Sequence, residues 1–157
     1  MLTYGQARPD EENDLIDFAN YVFSYSGAPT DFKKLHPWVY GRPGFSAITQ
    51  VAREDGRIRG MISAVHDVLS LNGQELKFGY IGTVSTHPYA RGQGIMRQLM
   101  SRTLDSLKAQ GCQLVVLGGR RQRYQYYGFE DAGTRVMLNL TGDSLLHTLG
   151  DRHHGHT

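Results

Sequence analysis

The stretch Thr83-Val84-Ser85-Thr86-His87-Pro88-Tyr89-Ala90-Arg91-Gly92-Gln93-Gly94-Ile95-Met96 constrains this chain more than any other. It reads as the end of a strand, a tight glycine-containing turn and the start of a helix. The helix is expected from Gln93 to Gln110, with Met96, Leu99, Met100, Thr103, Leu104 and Leu107 at helical spacing and Gly111 placed to end it. Leu114-Val115-Val116-Leu117 follows, an unbroken apolar run that predicts a strand covered on both faces. A strand–helix–strand unit of this length requires a parallel pair joined by a right-handed crossover. It also makes an anion seat. First-turn N–H groups have no intrahelical partners, and the helix dipole favours negative charge there. The backbone amides of Gln93, Gly94, Ile95 and Met96 are the candidates, with Gly92 and Gly94 letting the main chain approach a phosphorylated ligand closely.

The residues before this unit predict an antiparallel meander. Thr3 to Arg8 reads as a strand. Pro9 and Asp10 open a helix, with Glu11 and Glu12 in its first turn and Leu15, Phe18, Ala19, Val22 and Phe23 on its apolar face. Ser46 to Glu54, Arg57 to Leu71 and Glu75 to Thr86 read as strands joined by the hairpin turns Asp55-Gly56 and Asn72-Gly73. On the last of these, Leu76, Phe78, Tyr80 and Val84 are expected on one face. Between helix and meander, Ser26 to Phe45 is too long for a structureless loop in a compact domain, so a short helix is expected inside it. The fold class is therefore α+β: a mixed sheet, antiparallel meander first and a parallel strand pair second, with helices on both faces. Thr134 to Leu140 predicts one more strand, so the globular domain is expected over residues 1–140. Residues 141–157 read as a polar, His-rich C-terminal tail.

Several glycine-loop motifs compete for residues 83–96. A P-loop requires Lys-Ser/Thr after its last glycine, which this chain lacks. A dinucleotide fingerprint requires a third glycine where Arg97 stands. Val84-x-Thr86-x-Pro88-x-x-Arg91-Gly92-x-Gly94-Ile95 instead resembles the acetyl-coenzyme A signature of the GNAT superfamily of N-acetyltransferases, R/Q-x-x-G-x-G/A. Arg91 matches its first position and Gly94 its fourth. Met96 occupies the last, where Gly or Ala is usual; a larger residue recurs there in the enhanced-intracellular-survival type, which the region also resembles. A second block, Tyr124-Gln125-Tyr126-Tyr127-Gly128-Phe129, is similar to the Y-x-x-x-G-F of the same superfamily, in the same order along the chain.

The resemblance implies a set of roles. Val84, Ser85, Thr86, Arg91, Gly92, Gln93, Gly94, Ile95 and Met96 would bind acetyl-CoA, with the pyrophosphate on the turn and the pantetheine arm beside a splayed strand. Gly79, Gly82, Thr83, Ser85 and Thr86 are small enough for that close approach. Tyr124 would give the leaving thiolate its proton, since a phenol of pKa about 10 can protonate a thiolate of about 8.5 at small cost. The reaction implied is direct acetyl transfer to a primary amine in a ternary complex. The strand carries no Glu where many relatives have one, so the base stays open among His66, Asp67, His87 and ordered water. Trp38 and Tyr40, in the long aromatic-rich segment, are the acceptor-side candidates.

Other classes fit less well. A net charge of +2 argues against nucleic acid and membrane surfaces, although Arg120, Arg121 and Arg123 form a short basic cluster. No apolar run is long enough to span a bilayer. The lone Cys112 and the lack of a secretion pattern suit a cytoplasmic protein. His147, His153, His154 and His156 lack the spacing of a metal site. A homo-oligomer stays open. The rival reading is a non-catalytic acyl-CoA-binding or interaction module of a larger protein.

Overall fold

The computed structural model describes residues 1–25 and 27–133. The expected strand at Thr134–Leu140, the boundary at 140/141 and the His-rich tail lie outside the described residues. The chain divides into two compact units, the first spanning Met1–Gly118 and the second beginning at Gly119.

The first unit carries β1 (Leu2–Gln6), α1 (Glu12–Ser24), the single-turn helices α2 (Phe32–Leu35) and α3 (Pro37–Tyr40), β2 (Thr49–Glu54), β3 (Arg57–Leu71), β4 (Gln74–Thr86), α4 (Ile95–Ala109) and β5 (Leu114–Leu117). The strands lie in the order β1-β2-β3-β4-β5. The first three pairings are antiparallel, and β4 pairs with β5 in parallel across the α4 crossover. Both hairpin turns form where the sequence places them, with positive φ at Asp55-Gly56 and Asn72-Gly73, the conformation that matches strand twist.

One sheet face packs against α1 and the segment after it. Leu15, Ile16, Ala19, Phe32, Tyr40, Phe45, Val51 and Met61 form a single buried cluster there. Phe23, expected on the buried face of α1, is 41% exposed, while Ile16, which that reading leaves out, is 4% exposed. The segment expected to contain a short helix contains two, and polar clips hold it. Asn20 Oδ1 accepts from Phe32 N–H at 2.9 Å and Ser24 Oγ from Thr30 N–H at 2.9 Å. Glu12 Oε1 accepts from Gly44 N–H (2.8 Å), Ser46 N–H (3.1 Å) and Ser46 Oγ (2.8 Å). These bonds outweigh the burial that opposes ionisation and hold the Glu12 carboxyl below its ordinary pKa.

The other face packs against α4, and glycines set the approach. A Cβ on Gly60 would stand 2.6 Å from Ile95 Cγ2, and one on Gly79 would stand 2.8 Å from Leu107 Cδ1. Gly79 thus serves helix packing, not the ligand approach expected of it. The helix begins at Ile95, two residues later than the amphipathic pattern suggests, and Ile95 replaces Met96 as its first core residue. Gly111, at φ +80, ends the helix as expected, with Cys112 N–H donating to Leu107 O at 3.0 Å.

β5 departs from expectation. Its apolar run predicts cover on both faces, yet Leu114 and Val116 are 45% and 42% exposed. Only β4 pairs with it among the described residues, and burial alternates along it. An unbroken apolar run registers composition and leaves open which neighbours arrive.

Away from the sheet centre, Glu11 is 5% exposed and forms a bidentate pair with Arg53 on β2. Its Oε2 also accepts from Arg8 N–H at 2.7 Å. The hydrogen bonds from Arg53, then Arg8, hold its pKa below the ordinary 4.5 despite burial. A depressed carboxyl pKa contributes stability above the unfolded value, which is lost as pH falls through the folded value. Glu11→Gln is expected to cost about 3 kcal/mol at neutral pH by leaving the Arg53 charge without its carboxylate. Urea unfolding at pH 7 and at pH 3 checks this: the gap between wild type and variant should shrink in acid.

Candidate functional site

β4 is continuous with β3 along its length but not in phase. Ser63 lies opposite Gly82, and two residues on, Met61 lies opposite Ser85. Thr83 and Val84 therefore oppose the single residue Ile62, which is a β-bulge. Thr83 sits at φ +45, a left-handed conformation unusual for a β-branched residue. The extra residue breaks the alternation. Tyr80 and Ser85 share the α1 face with their partners Val65 and Met61, so Val84 lies on the opposite face from Tyr80. The sequence-based grouping of Leu76, Phe78, Tyr80 and Val84 on one face fails at this point.

The bulge coincides with the end of the parallel pair. Phe78–Ile81 pair with Leu114–Leu117, and pairing with β5 stops there, whereas β4 runs on to Thr86. Among the described residues, the edge of Gly82–Thr86 turned away from β3 has no strand beside it. Val84 and Thr86 are half-buried and Ser85 is buried, its hydroxyl donating to Thr83 O at 2.9 Å.

The turn that follows is built in two parts. His87 N–H donates to Arg59 O at 2.9 Å, and His87 Nδ1 accepts from Tyr89 N–H at 3.3 Å, capping the short 3-10 turn Pro88–Ala90. The His87 ring stands 5.4 Å from Tyr21 and 6.3 Å from Phe18, centroid to centroid. Burial first, and nearby Arg59 second, lower its pKa. This base candidate is thus engaged as a cap. Then Gly92 and Gly94 take φ +82 and +73, with no atom of the other described residues within 4 Å of a Cβ built on either. Left-handed backbone, not crowding by protein, requires glycine there. The first intrahelical bond runs from Gln98 N–H to Gly94 O at 3.1 Å, so the Ile95 and Met96 amides precede it. Ile95 is 1% exposed and anchors the turn, Met96 is half-buried, and Arg91, Gly92, Gln93 and Gly94 are exposed. No acidic side chain lies in the first turn of α4. The structure therefore gathers Val84–Thr86 and Arg91–Met96 into one strand-end, turn and helix start.

The acceptor-side candidates part company. Trp38 is 76% exposed, with the Arg42 guanidinium 5.2 Å from its ring centroid. Tyr40 is 6% exposed, and its hydroxyl lies 2.9 Å from Thr83 Oγ1. Sequence reasoning missed this bond, which joins positions far apart along the chain. The other base candidates, His66 and Asp67, are exposed on β3, and Asp67 Oδ1 accepts from Val68 N–H at 2.8 Å.

In the second unit, α5 (Arg121–Tyr124) leads into a 3-10 turn and then to Gly128 at φ +86. Tyr124 is 5% exposed, with its ring edge-on to Phe129 at 6.3 Å. Of the basic cluster, Arg121 pairs with Glu130 at 2.8 Å, while Arg120 and Arg123 line an open pocket with Gln122. Among the described residues no group of His, Cys, Asp and Glu is arranged to hold a metal ion, and no helix is long and apolar enough to cross a membrane.

Comparison with known proteins agrees with this geometry. Among curated proteins none matches the sequence. Solved structures with the same fold include a predicted acetyltransferase with acetyl-CoA from Clostridium acetobutylicum, with TM-score 0.72 and 20% identity over 94% of this chain and 98% of that one. A GNAT family acetyltransferase from Brucella melitensis in complex with acetyl-CoA gives TM-score 0.69 and 25% identity over 83% of this chain and 84% of that one. Glucosamine-6-phosphate N-acetyltransferase from Arabidopsis thaliana gives TM-score 0.64 and 14% identity over 90% of this chain and 99% of that one. The family model for the acetyltransferase (GNAT) domain matches residues 3–132, which takes in the bulged strand, the glycine turn and the tyrosine block together. This chain belongs to the GNAT acetyltransferase family.

Proposed function

We propose that the chain is an acetyl-CoA-dependent N-acetyltransferase that moves acetyl directly to a primary amine. One observation carries the reading: β4 outruns its parallel partner by the length Gly82–Thr86 and delivers the chain straight into the glycine turn at the start of α4. Acetyl-CoA supplies an activated thioester when bound. The amides of Gln93, Gly94, Ile95 and Met96 hold its pyrophosphate, and Arg91 adds positive charge beside Gly92. The absence of acidic side chains from the first turn of α4 suits a phosphate there. The Val84–Thr86 backbone lies along the pantetheine arm and donates to the thioester oxygen as negative charge grows on it. Acetyl-CoA in the solved relatives from Clostridium acetobutylicum and Brucella melitensis supports this assignment.

The amine nitrogen bonds to the acyl carbon, the carbon–sulfur bond breaks, and the Tyr124 hydroxyl returns a proton to the sulfur. With His87 Nδ1 occupied by Tyr89 N–H, the amine loses its proton to water. Trp38 meets the acceptor, being exposed beside the buried Tyr40. A cytoplasmic location goes with this reading, since Cys112 is a free thiol. One observation favours the rival, a non-catalytic acyl-CoA-binding module: β4 carries no carboxylate from Leu76 to Thr86.

Titration calorimetry with CoA tests the turn. Gly94→Val is expected to weaken binding by about tenfold, the scale of one charge-assisted hydrogen bond. Unchanged affinity would detach the turn from the cofactor. Thiol release from acetyl-CoA across an amine panel tests the chemistry. Tyr124→Phe should lower kcat about a hundredfold while KM for acetyl-CoA stays within about twofold. An unaltered kcat removes Tyr124 from its role, and tight binding with no turnover on any amine selects the rival.

A further inference from the structure

Beneath the bulge lies a line of buried hydroxyl groups. Tyr40, Thr83, Ser63, Thr49 and Ser85 are all under 8% exposed. Tyr40 Oη lies 2.9 Å from Thr83 Oγ1, and Thr49 Oγ1 lies 2.9 Å from Ser63 Oγ. Thr49 donates its one hydrogen to Phe45 O at 2.8 Å, so Ser63 donates to Thr49. Ser85 donates to Thr83 O at 2.9 Å. The line ends on a backbone carbonyl, which only accepts. It contains no carboxylate, imidazole or amine, and its one phenol keeps its proton, so its use is to hold atoms in place.

What it holds is Thr83. A threonine at φ +45 is a strained residue, and such residues persist only where their surroundings determine them from several sides. Here the Thr83 side chain is fixed by Tyr40 and its carbonyl oxygen by Ser85. Tyr40 is fixed in turn by edge-on rings, Phe32 at 5.6 Å and Phe45 at 5.5 Å. Burial raises the phenol's pKa, so it keeps its proton through the neutral range. A Cβ at Gly82 would make only ordinary contact with Tyr40 Oη, at 3.8 Å.

We infer that Tyr40 is a positioning residue: through the hydroxyl of Thr83 it locks the β4 bulge and so sets the Val84–Thr86 backbone in the shape that engages the acyl group. It acts from beneath the strand, without touching either substrate. The inference rests on the function proposed above.

The experiment measures affinity for two probes, CoA and acetyl-CoA, by titration calorimetry on the full chain. The ratio of the two reports the acyl contact alone. Wild type should bind acetyl-CoA more tightly than CoA. Tyr40→Phe keeps the ring packing and removes the hydroxyl; it should lower the acetyl preference about fivefold, one neutral hydrogen bond's worth, with CoA affinity unchanged. Thr83→Val, which keeps the branched shape, should give the same loss, and the double variant no more than either alone. Thr83→Ser should restore the preference. If Tyr40→Phe does not fold, Thr83→Val against Thr83→Ser decides by the same ratio. An unchanged preference, an equal weakening of both probes, or a wild type that does not distinguish them overturns the inference and leaves the proposed function standing. A wild type that binds neither probe overturns both.

Discussion

A threonine held at positive φ inside a long strand is the constraint on which the rest of this architecture turns. Without the extra residue at Thr83, β4 would keep its two-residue alternation and Val84 would share a face with Tyr80. The bulge bends the strand where parallel pairing with β5 ends, and the freed edge runs into the glycine turn. Strain of this kind needs support from outside the strand. Here the support comes from a segment that precedes the meander in sequence and packs on its α1 face.

That segment is itself ordered by polar side chains from the helix before it. Asn20 and Ser24 satisfy the first amides of the stretch, and Glu12 collects three donors at its far end. Buried backbone polar groups need such partners wherever no ladder is at hand. α1 therefore does two jobs with two faces: Leu15, Ile16 and Ala19 bury apolar area against the sheet, and its polar positions tie down the chain that follows. Glu11 and Arg53 add a further bond between the helix entrance and β2.

Much of this was legible in the residue order. Asp55-Gly56 and Asn72-Gly73 announce their turns because few dipeptides tolerate positive φ at both positions. Leu99, Met100, Thr103 and Leu107 announce α4 by their spacing, and Gly92-x-Gly94 announces a left-handed turn before it. The bulge left no such mark. Threonine is among the last residues one would assign to that conformation, and only the register against β3 reveals it. The burial of Tyr40 was hidden for a related reason. Amid glycine, proline and lysine nothing marks it as buried, and its hydroxyl's partner Thr83 stands in a strand whose alignment had to form first. The half-exposed β5 shows the same limit: an apolar run records affinity for cover, while topology decides whether cover arrives.

The glycines under α4 have a consequence for how such a protein can change. With no Cβ at Gly60 or Gly79, the helix rests on the sheet backbone through Ile95, Leu99 and Leu107, and the glycine turn inherits the rigidity of the strands. On the opposite face the chain around Trp38 is exposed. Substitutions in that exposed stretch leave the glycine turn untouched, with one tether. Any replacement that discards the phenol at position 40 removes the bond to Thr83, so a change in an exposed stretch reaches the bulged strand at that single point.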